Sequence, residues 1–187
     1  MKQPQFYGTE EQMTKSELEQ CINDFGKDIY SFCRQVTLDV HEADDLYQDT
    51  FLKAFELKNR INLSDNPKSY ILSIAVRLWK NKKRKFAWRK RIAGTRMLAE
   101  GDNSDEAPHE EVPEEIAVKQ EEKRLVNEAV GKLPDTLKIV TLLYYMENQP
   151  LSQIARILKI PEGTVKSRLY KARITLKNEL EGIMYEG

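Results

Sequence analysis

LSQIARILKIPEGTVKSRLYKARITLK, residues 151–177, is the stretch that decides how this chain is read. It has the form of two short helices joined by a tight turn. Ser152 is a residue type suited to capping the first helix, whose apolar residues are Ile154, Ala155, Ile157 and Leu158. Pro161 breaks that helix, because it has no N–H to donate and restricts the residue before it. Pro161-Glu162-Gly163-Thr164 opens a second helix with Thr164 as its candidate cap. There Val165, Leu169, Ala172 and Leu176 recur at spacings of four, three and four, which is one buried stripe. Lys166, Arg168, Lys171, Arg173 and Lys177 lie mostly off that stripe, and no acidic residue falls between Thr164 and Lys177. An ordinary helical hairpin with a solvated basic face is the plainer alternative. Solvated faces usually mix signs, however, and this one holds cations alone. The layout is that of a helix-turn-helix whose second helix lies in the DNA major groove.

The rest of the chain supports a nucleic-acid partner through its charge distribution. Lys and Arg together number 30, as do Asp and Glu, so the formal net charge is zero over 187 residues. That balance is segregated. Residues 77–96 hold ten Lys or Arg and no acid, whereas residues 100–115 hold eight Asp or Glu and no base. Residues 1–61 carry twelve acids against seven bases. Such a distribution suits a protein that touches both nucleic acid and a basic protein surface. No apolar run approaches the roughly 18–20 residues that span a bilayer, and the N-terminus lacks the apolar stretch of a signal peptide, so a cytoplasmic protein is expected. Cys21 and Cys33 stand twelve apart and fit no metal-ligand spacing, and the only histidines are His41 and His109. Free, partly buried thiols are expected, with a regulatory disulfide as the lesser alternative, and no metal or cofactor.

Helical periodicity recurs along the chain and strand signals are weak, which predicts an all-α fold of two small helical domains joined by a flexible acidic linker. Helices are expected at 14–38, 41–58 and 67–90. The first carries the stripe Leu18, Cys21, Ile22, Phe25, Ile29, Phe32, Cys33 and Val36, with Thr14 or Ser16 as cap and Gly26 as a tolerated interruption. The second offers Leu46, Phe51, Leu52, Phe55 and Tyr47 as apolar contacts. Asn59 to Asn66 is a turn-rich connection, and Pro67 suits the first turn of the third helix. Residues 99–115 have too few apolar groups to offset the entropy of ordering. Beyond them, helices are expected at 116–131, 135–146, 152–158 and 162–181, with Gly182 ending the last. The domains are therefore 14–92 and 116–182, with 93–115 as the linker.

Two further elements carry chemistry. Trp79, Phe86 and Trp88 are interleaved with the cations of 77–91. Cations neutralise phosphates, and aromatic rings can stack on unpaired bases at roughly 1–3 kcal/mol per base, so partly single-stranded DNA is a candidate ligand. Trp79 is instead read as core, since it continues the stripe of Ile74, Ala75 and Leu78. Asp44, Asp45 and Asp49 could hold Mg²⁺ on one turn of helix. A metal site of that kind needs a second facing carboxylate cluster, which is not legible. The acids also suit a helix N-terminus, or a docking face for a basic partner. No phosphate-binding loop and no nucleophile pair is present, so no catalytic residue is assigned and the chain is read as a non-enzyme.

These segments together resemble the RNA polymerase sigma factors of the extracytoplasmic-function group (group IV of the sigma-70 family), over roughly residues 20–90 and 116–181. ADDLYQDTFLKAF at 43–55 is similar to the family segment that docks on the clamp helices of the polymerase β′ subunit. The resemblance carries that role to Asp44, Asp45, Leu46, Gln48, Asp49, Phe51 and Lys53. SYILSIAVRLWKNKKRK at 69–85 looks like the segments that open and read the promoter −10 element, which implies contacts by Arg77, Lys80, Asn81, Arg84 and Lys85. IPEGTVKSRLYKAR resembles the −35 reading helix, with Lys166, Ser167, Arg168, Tyr170, Lys171 and Arg173 at its DNA face. The implied partners are core RNA polymerase, through its β′ clamp helices and β flap, promoter DNA and an anti-sigma factor, which is often membrane-bound in this group; no small-molecule substrate is implied. The chain departs from the family pattern at Tyr70-Ile71, Arg77 and Asn81, near the unstacked −10 base, so base preference there is not carried over. Two rival readings are a dimeric helix-turn-helix repressor or activator and a Mg²⁺-dependent helical enzyme built on Asp44, Asp45 and Asp49.

Overall fold

The structure, a computed structural model, describes residues 14–58, 66–92 and 114–186. Most of the connection expected at 59–66 and of the acidic linker lies outside the described residues. Every described element is helical: α1 (Lys15–Thr37), α2 (Val40–Glu56), α3 (Pro67–Ile92), α4 (Glu114–Lys132), α5 (Asp135–Thr141) with a π-helical turn at Leu142–Met146, α6 (Leu151–Leu158) and α7 (Glu162–Glu186).

Local chemistry sets the ends. Thr14 and Glu17 form a reciprocal capping box on α1: the Thr14 hydroxyl accepts from the Glu17 N–H at 3.2 Å, and the Glu17 carboxylate accepts from the Thr14 N–H at 2.7 Å. Leu38 ends α1 in the left-handed region at φ 63°. Asp39 caps α2 by accepting from the Glu42 N–H at 2.7 Å. The Asn66 side chain accepts from the Ser69 N–H at 3.1 Å, ahead of Pro67 in the first turn of α3. Gly26 is more than a tolerated interruption. A Cβ there would come within 2.9 Å of the Tyr47 hydroxyl, so the glycine permits the close approach of α1 and α2.

Three expectations about helix ends are corrected. Ser152 is not a cap: α6 starts at Leu151 behind Pro150, and Ser152 sits exposed inside the first turn. Thr164 is likewise internal, because the Pro161 carbonyl already accepts from the Thr164 and Val165 N–H groups at 2.9 and 3.2 Å. Gly182 does not stop α7, which runs to Glu186. The helix expected at 135–146 widens in its last part, where the Glu147 N–H reaches five residues back to Leu142 O at 3.0 Å.

α1, α2 and α3 form one bundle around Ile29, Phe32, Leu46, Ile71, Leu72 and Ile74, all at most 3% exposed. Burial of side chains of this size stabilises by about 1.5–3 kcal/mol each. α4 to α7 form a second bundle around Ile139, Leu143, Ile154, Val165 and Leu169. The two bundles touch: α6 lies on α3, and the π turn and α4 lie on α1, so their cores join in one apolar cluster. In α2 the buried stripe is Ala43, Leu46, Thr50, Phe51 and Ala54. Leu52 and Phe55, expected as core contacts, are instead 64% and 45% exposed.

Candidate nucleic-acid and polymerase interfaces

α7 presents its basic face from a packed base. Val165, Leu169 and Ala172 are buried against α5 and α6, which fixes the rotation of the helix. Lys166, Ser167, Tyr170, Lys171 and Arg173 are exposed, Tyr170 by 65%. Lys166 reaches back to Glu162 at 3.1 Å, an exposed pair one turn apart. The Ser167 hydroxyl donates to the Thr164 carbonyl at 3.0 Å, which leaves its oxygen free to accept. Arg168 is half-buried. Desolvation, and then the Arg168 charge, pull the Lys80 ammonium below the usual lysine range.

α3 presents its cations differently. The stripe of Ile71, Leu72, Ile74, Ala75, Val76 and Trp79 is buried, Trp79 at 4% exposure, as expected. Beyond Asn81 every side chain to Ile92 is exposed, including Phe86 and Trp88 at 63% and 61%. Arg77, Asn81 and Arg84 follow one face, and the Arg84 guanidinium donates to the Asn81 side-chain oxygen at 3.3 Å. Lys80 and Lys85 flank that face. Two cations of the run are already engaged. Lys82 lies 3.6 Å from Asp45 and 3.8 Å from Glu42, and Lys83 pairs with Asp135 at 2.7 Å and rests over the Trp79 ring.

The acidic helix α2 splits its expected docking residues into two sets. Asp45, Gln48 and Asp49 are exposed and Lys53 is half-exposed. Leu46 and Phe51 point into the core at 3% and 9% exposure, so they position the helix rather than meet a partner. Asp44 accepts from the Tyr30 hydroxyl at 2.8 Å. The outward apolar residues are Leu52 and Phe55, with Lys58 over the Phe55 ring. Their exposure was hidden in the sequence, where two more apolar residues in an amphipathic helix look like core. The signal that could have found them is the competing stripe of small residues, Ala43, Thr50 and Ala54.

Among the described residues no group of three His, Cys, Asp or Glu side chains is placed to hold a metal ion. Asp44 turns to Tyr30 and Asp45 to Lys82, which divides the carboxylates that the metal-enzyme reading needs. Cys21 and Cys33 are buried and free. Burial, and then the nearby Glu147 charge, push the Cys33 thiol up to about 12, which suppresses the reactive thiolate. The two cysteines lie on one continuous helix. Twelve residues of helical rise is about 18 Å, far beyond the roughly 7 Å that a disulfide can bridge. The alternative of a disulfide between them is therefore excluded in this fold.

Comparison with known proteins assigns the two bundles. Residues 21–90 match the family model for sigma-70 region 2, and residues 123–176 match that for sigma-70 region 4. The ECF RNA polymerase sigma factor SigW of Bacillus subtilis is 30% identical over 167 residues, covering 87% of this chain and 88% of that protein. The ECF RNA polymerase sigma-E factor of Haemophilus influenzae is 28% identical over 148 residues, covering 77% of each. In fold, the chain is similar to the sigma factor RpoE solved with the anti-sigma factor NepR from Bartonella quintana (TM-score 0.73, 19% identity, 89% of this chain and 98% of that one). It is also similar to CnrH solved with the cytosolic domain of CnrY (TM-score 0.62, 19% identity, 90% of each chain). Two region models in the order of the two bundles, and a relative matched nearly end to end, place the chain in the extracytoplasmic-function group of the sigma-70 family: it belongs to the RNA polymerase sigma factors.

Proposed function

We propose that this sigma factor directs promoter-specific initiation through three surfaces of its own: α2 for polymerase, the basic half of α3 for the −10 element and α7 for the −35 element. Its role is regulatory, with no bond-making step assigned to any residue. The observation that carries the reading is the pairing of two basic helices with different mountings in one chain, set beside an acidic helix that leaves Leu52 and Phe55 uncovered. Asp45, Gln48 and Asp49 surround that apolar patch, as suits a basic, partly apolar partner such as the β′ clamp helices. Arg77, Lys80, Asn81, Arg84 and Lys85 hold phosphates and bases of an opening duplex, with Phe86 and Trp88 available for stacking. Lys166, Arg168, Lys171 and Arg173 hold phosphates or guanine edges in the −35 groove, and Ser167 and Tyr170 make phosphate or methyl contacts.

The working units are residues 14–92 and 116–182, tied by 93–115. With both held on polymerase, each raises the effective concentration of the other at the promoter, so the free chain binds DNA weakly. The chain acts in the cytoplasm; among its described residues no helix is long and apolar enough to cross a membrane. An anti-sigma factor covers these same faces; RpoE was solved with the anti-sigma factor NepR, and CnrH with the cytosolic domain of CnrY. Run-off transcription with purified core polymerase on a pool of promoter fragments tests the whole reading. Specific transcripts only in the presence of the chain support it; tight binding to duplex DNA without any binding to core would overturn it in favour of a repressor.

A further inference from the structure

The contact between the two bundles joins their apolar cores and also carries a buried polar cluster. Of the six buried polar or charged side chains among the described residues, Ser69, Glu147 and Gln149 lie on it. Lys68, at the start of α3, sits at its centre. Its Nζ is 2.6 Å from Asp28 Oδ2 of α1 and 2.9 Å from Glu147 Oε2, in the turn between the π helix and α6. Beside it the Ser69 hydroxyl donates to the Gln149 side-chain oxygen, and the Gln149 amide donates to the Glu147 carbonyl at 3.0 Å. Lys83 clips the far end of the buried half of α3 to Asp135.

Glu147 depends on this arrangement. Its side chain is 1% exposed, and neither carboxylate oxygen has a hydrogen bond of good geometry. Among the described residues, Lys68 supplies its one close opposite charge. A carboxylate so buried is tolerated beside its cation and strongly unfavourable without it. Burial pushes the Glu147 carboxyl above its ordinary range, with Lys68 pulling it back.

The same contact has a functional cost. It packs α6 against α3 while α7 packs on α6, so the −10 helix and the −35 helix are held on one body. The promoter elements they serve are about 25 base pairs apart, on the order of 85 Å of B-form DNA. Faces held side by side cannot reach both. The polar groups of this contact can be satisfied by water once it parts, and contacts between domains of one chain commonly open.

We propose that Lys68, with Asp28, Glu147, Ser69 and Gln149, forms an intramolecular latch that holds the free sigma factor closed, and that core polymerase binds the opened chain. The fraction of chain that is open then scales the apparent affinity for core. This rests on the sigma-factor reading, and the test separates the two.

The full chain is labelled for distance measurement at Asn23→Cys in α1 and Asn178→Cys in α7, both exposed positions, while buried Cys21 and Cys33 stay unlabelled. In free wild type the labels read a short distance. Lys68→Ala strands the Glu147 charge, so the distance lengthens and core polymerase binds about tenfold more tightly. Lys68→Met with Glu147→Leu replaces the ion pair by apolar contact, so the distance is short again and core affinity is no higher than wild type. A long distance in wild type, or Lys68→Ala matching wild type in both readings, would overturn the latch. If Lys68→Ala does not fold, Asp28→Ala, which frees Lys68 from α1 without stranding Glu147, decides: a longer distance with tighter core binding supports the proposal, and wild-type values in both readings sink it. Failure of every chain to bind core counts against the sigma-factor reading instead, since the label distance needs no polymerase.

Discussion

The basic half of α3 and the first half of α7 carry similar charge on opposite kinds of support. In α7 the cations ride above Val165, Leu169 and Ala172, which are at most 2% exposed. In α3 the residues from Lys82 to Ile92 are exposed on every side, with Phe86 and Trp88 standing among the cations. A helix fixed by its neighbours presents a constant shape, which suits a duplex that keeps its own. A bare helix edged with rings suits bases that have left their stack, because stacking tolerates many geometries. The chain thus divides its two DNA tasks by mounting, since charge alone does not distinguish them.

The strongest way to break this comparison is to remove support where it exists. Leu169→Ala should cost about 2–5 kcal/mol of stability in denaturant unfolding and erase the −35 footprint. Phe86→Ala should stay within about 0.5 kcal/mol in the same unfolding assay. Equal losses would mean the mountings do not differ. Next in size, Trp88→Ala should weaken holoenzyme binding to a single-stranded −10 oligonucleotide by about 1–3 kcal/mol and leave binding to a −35 duplex unchanged. A matching loss on the duplex would show that Trp88 does not discriminate strands. Smaller still, Lys171→Ala should reduce the slope of log affinity against log salt by about 0.9, across all duplex sequences. The smallest effect is expected at Lys82, which already faces Glu42 and Asp45. Lys82→Ala should change the salt slope less than Lys85→Ala does, and the reverse order would place Lys82 on the DNA.

The helices were legible because periodicity is a local property, and each apolar stripe from Leu18 to Leu176 is written within a few turns of chain. Trp79 was legible as core for the same reason. What stayed hidden depends on partners distant in sequence. Nothing local to Lys68 announces Glu147, 79 residues away, and a single charge carries no period. The π turn was invisible because Leu142 to Met146 has good helix-forming residues, and its register changes only to deliver Glu147 and Gln149 to α3. α2 misled in a third way. Its buried stripe uses Ala43, Thr50 and Ala54, so size alone nominated Leu52 and Phe55 for a core that is already closed. In the docking set, the resemblance carried one role to the whole motif and so did not separate Leu46 and Phe51, which hold the helix, from Asp45, Gln48 and Asp49, which face outward.

The bare end of α3 also sets its own length. Lys80 with Arg84, and Lys85 with Arg89, stand one turn apart, and like charges so placed destabilise a helix by a few tenths of a kcal/mol each. No nucleation barrier opposes this segment, because it grows outward from a packed helix, so its extent is a matter of fraying against propagation. A polyanion laid along it removes that repulsion, so bound DNA and the helical form of these last turns stabilise each other.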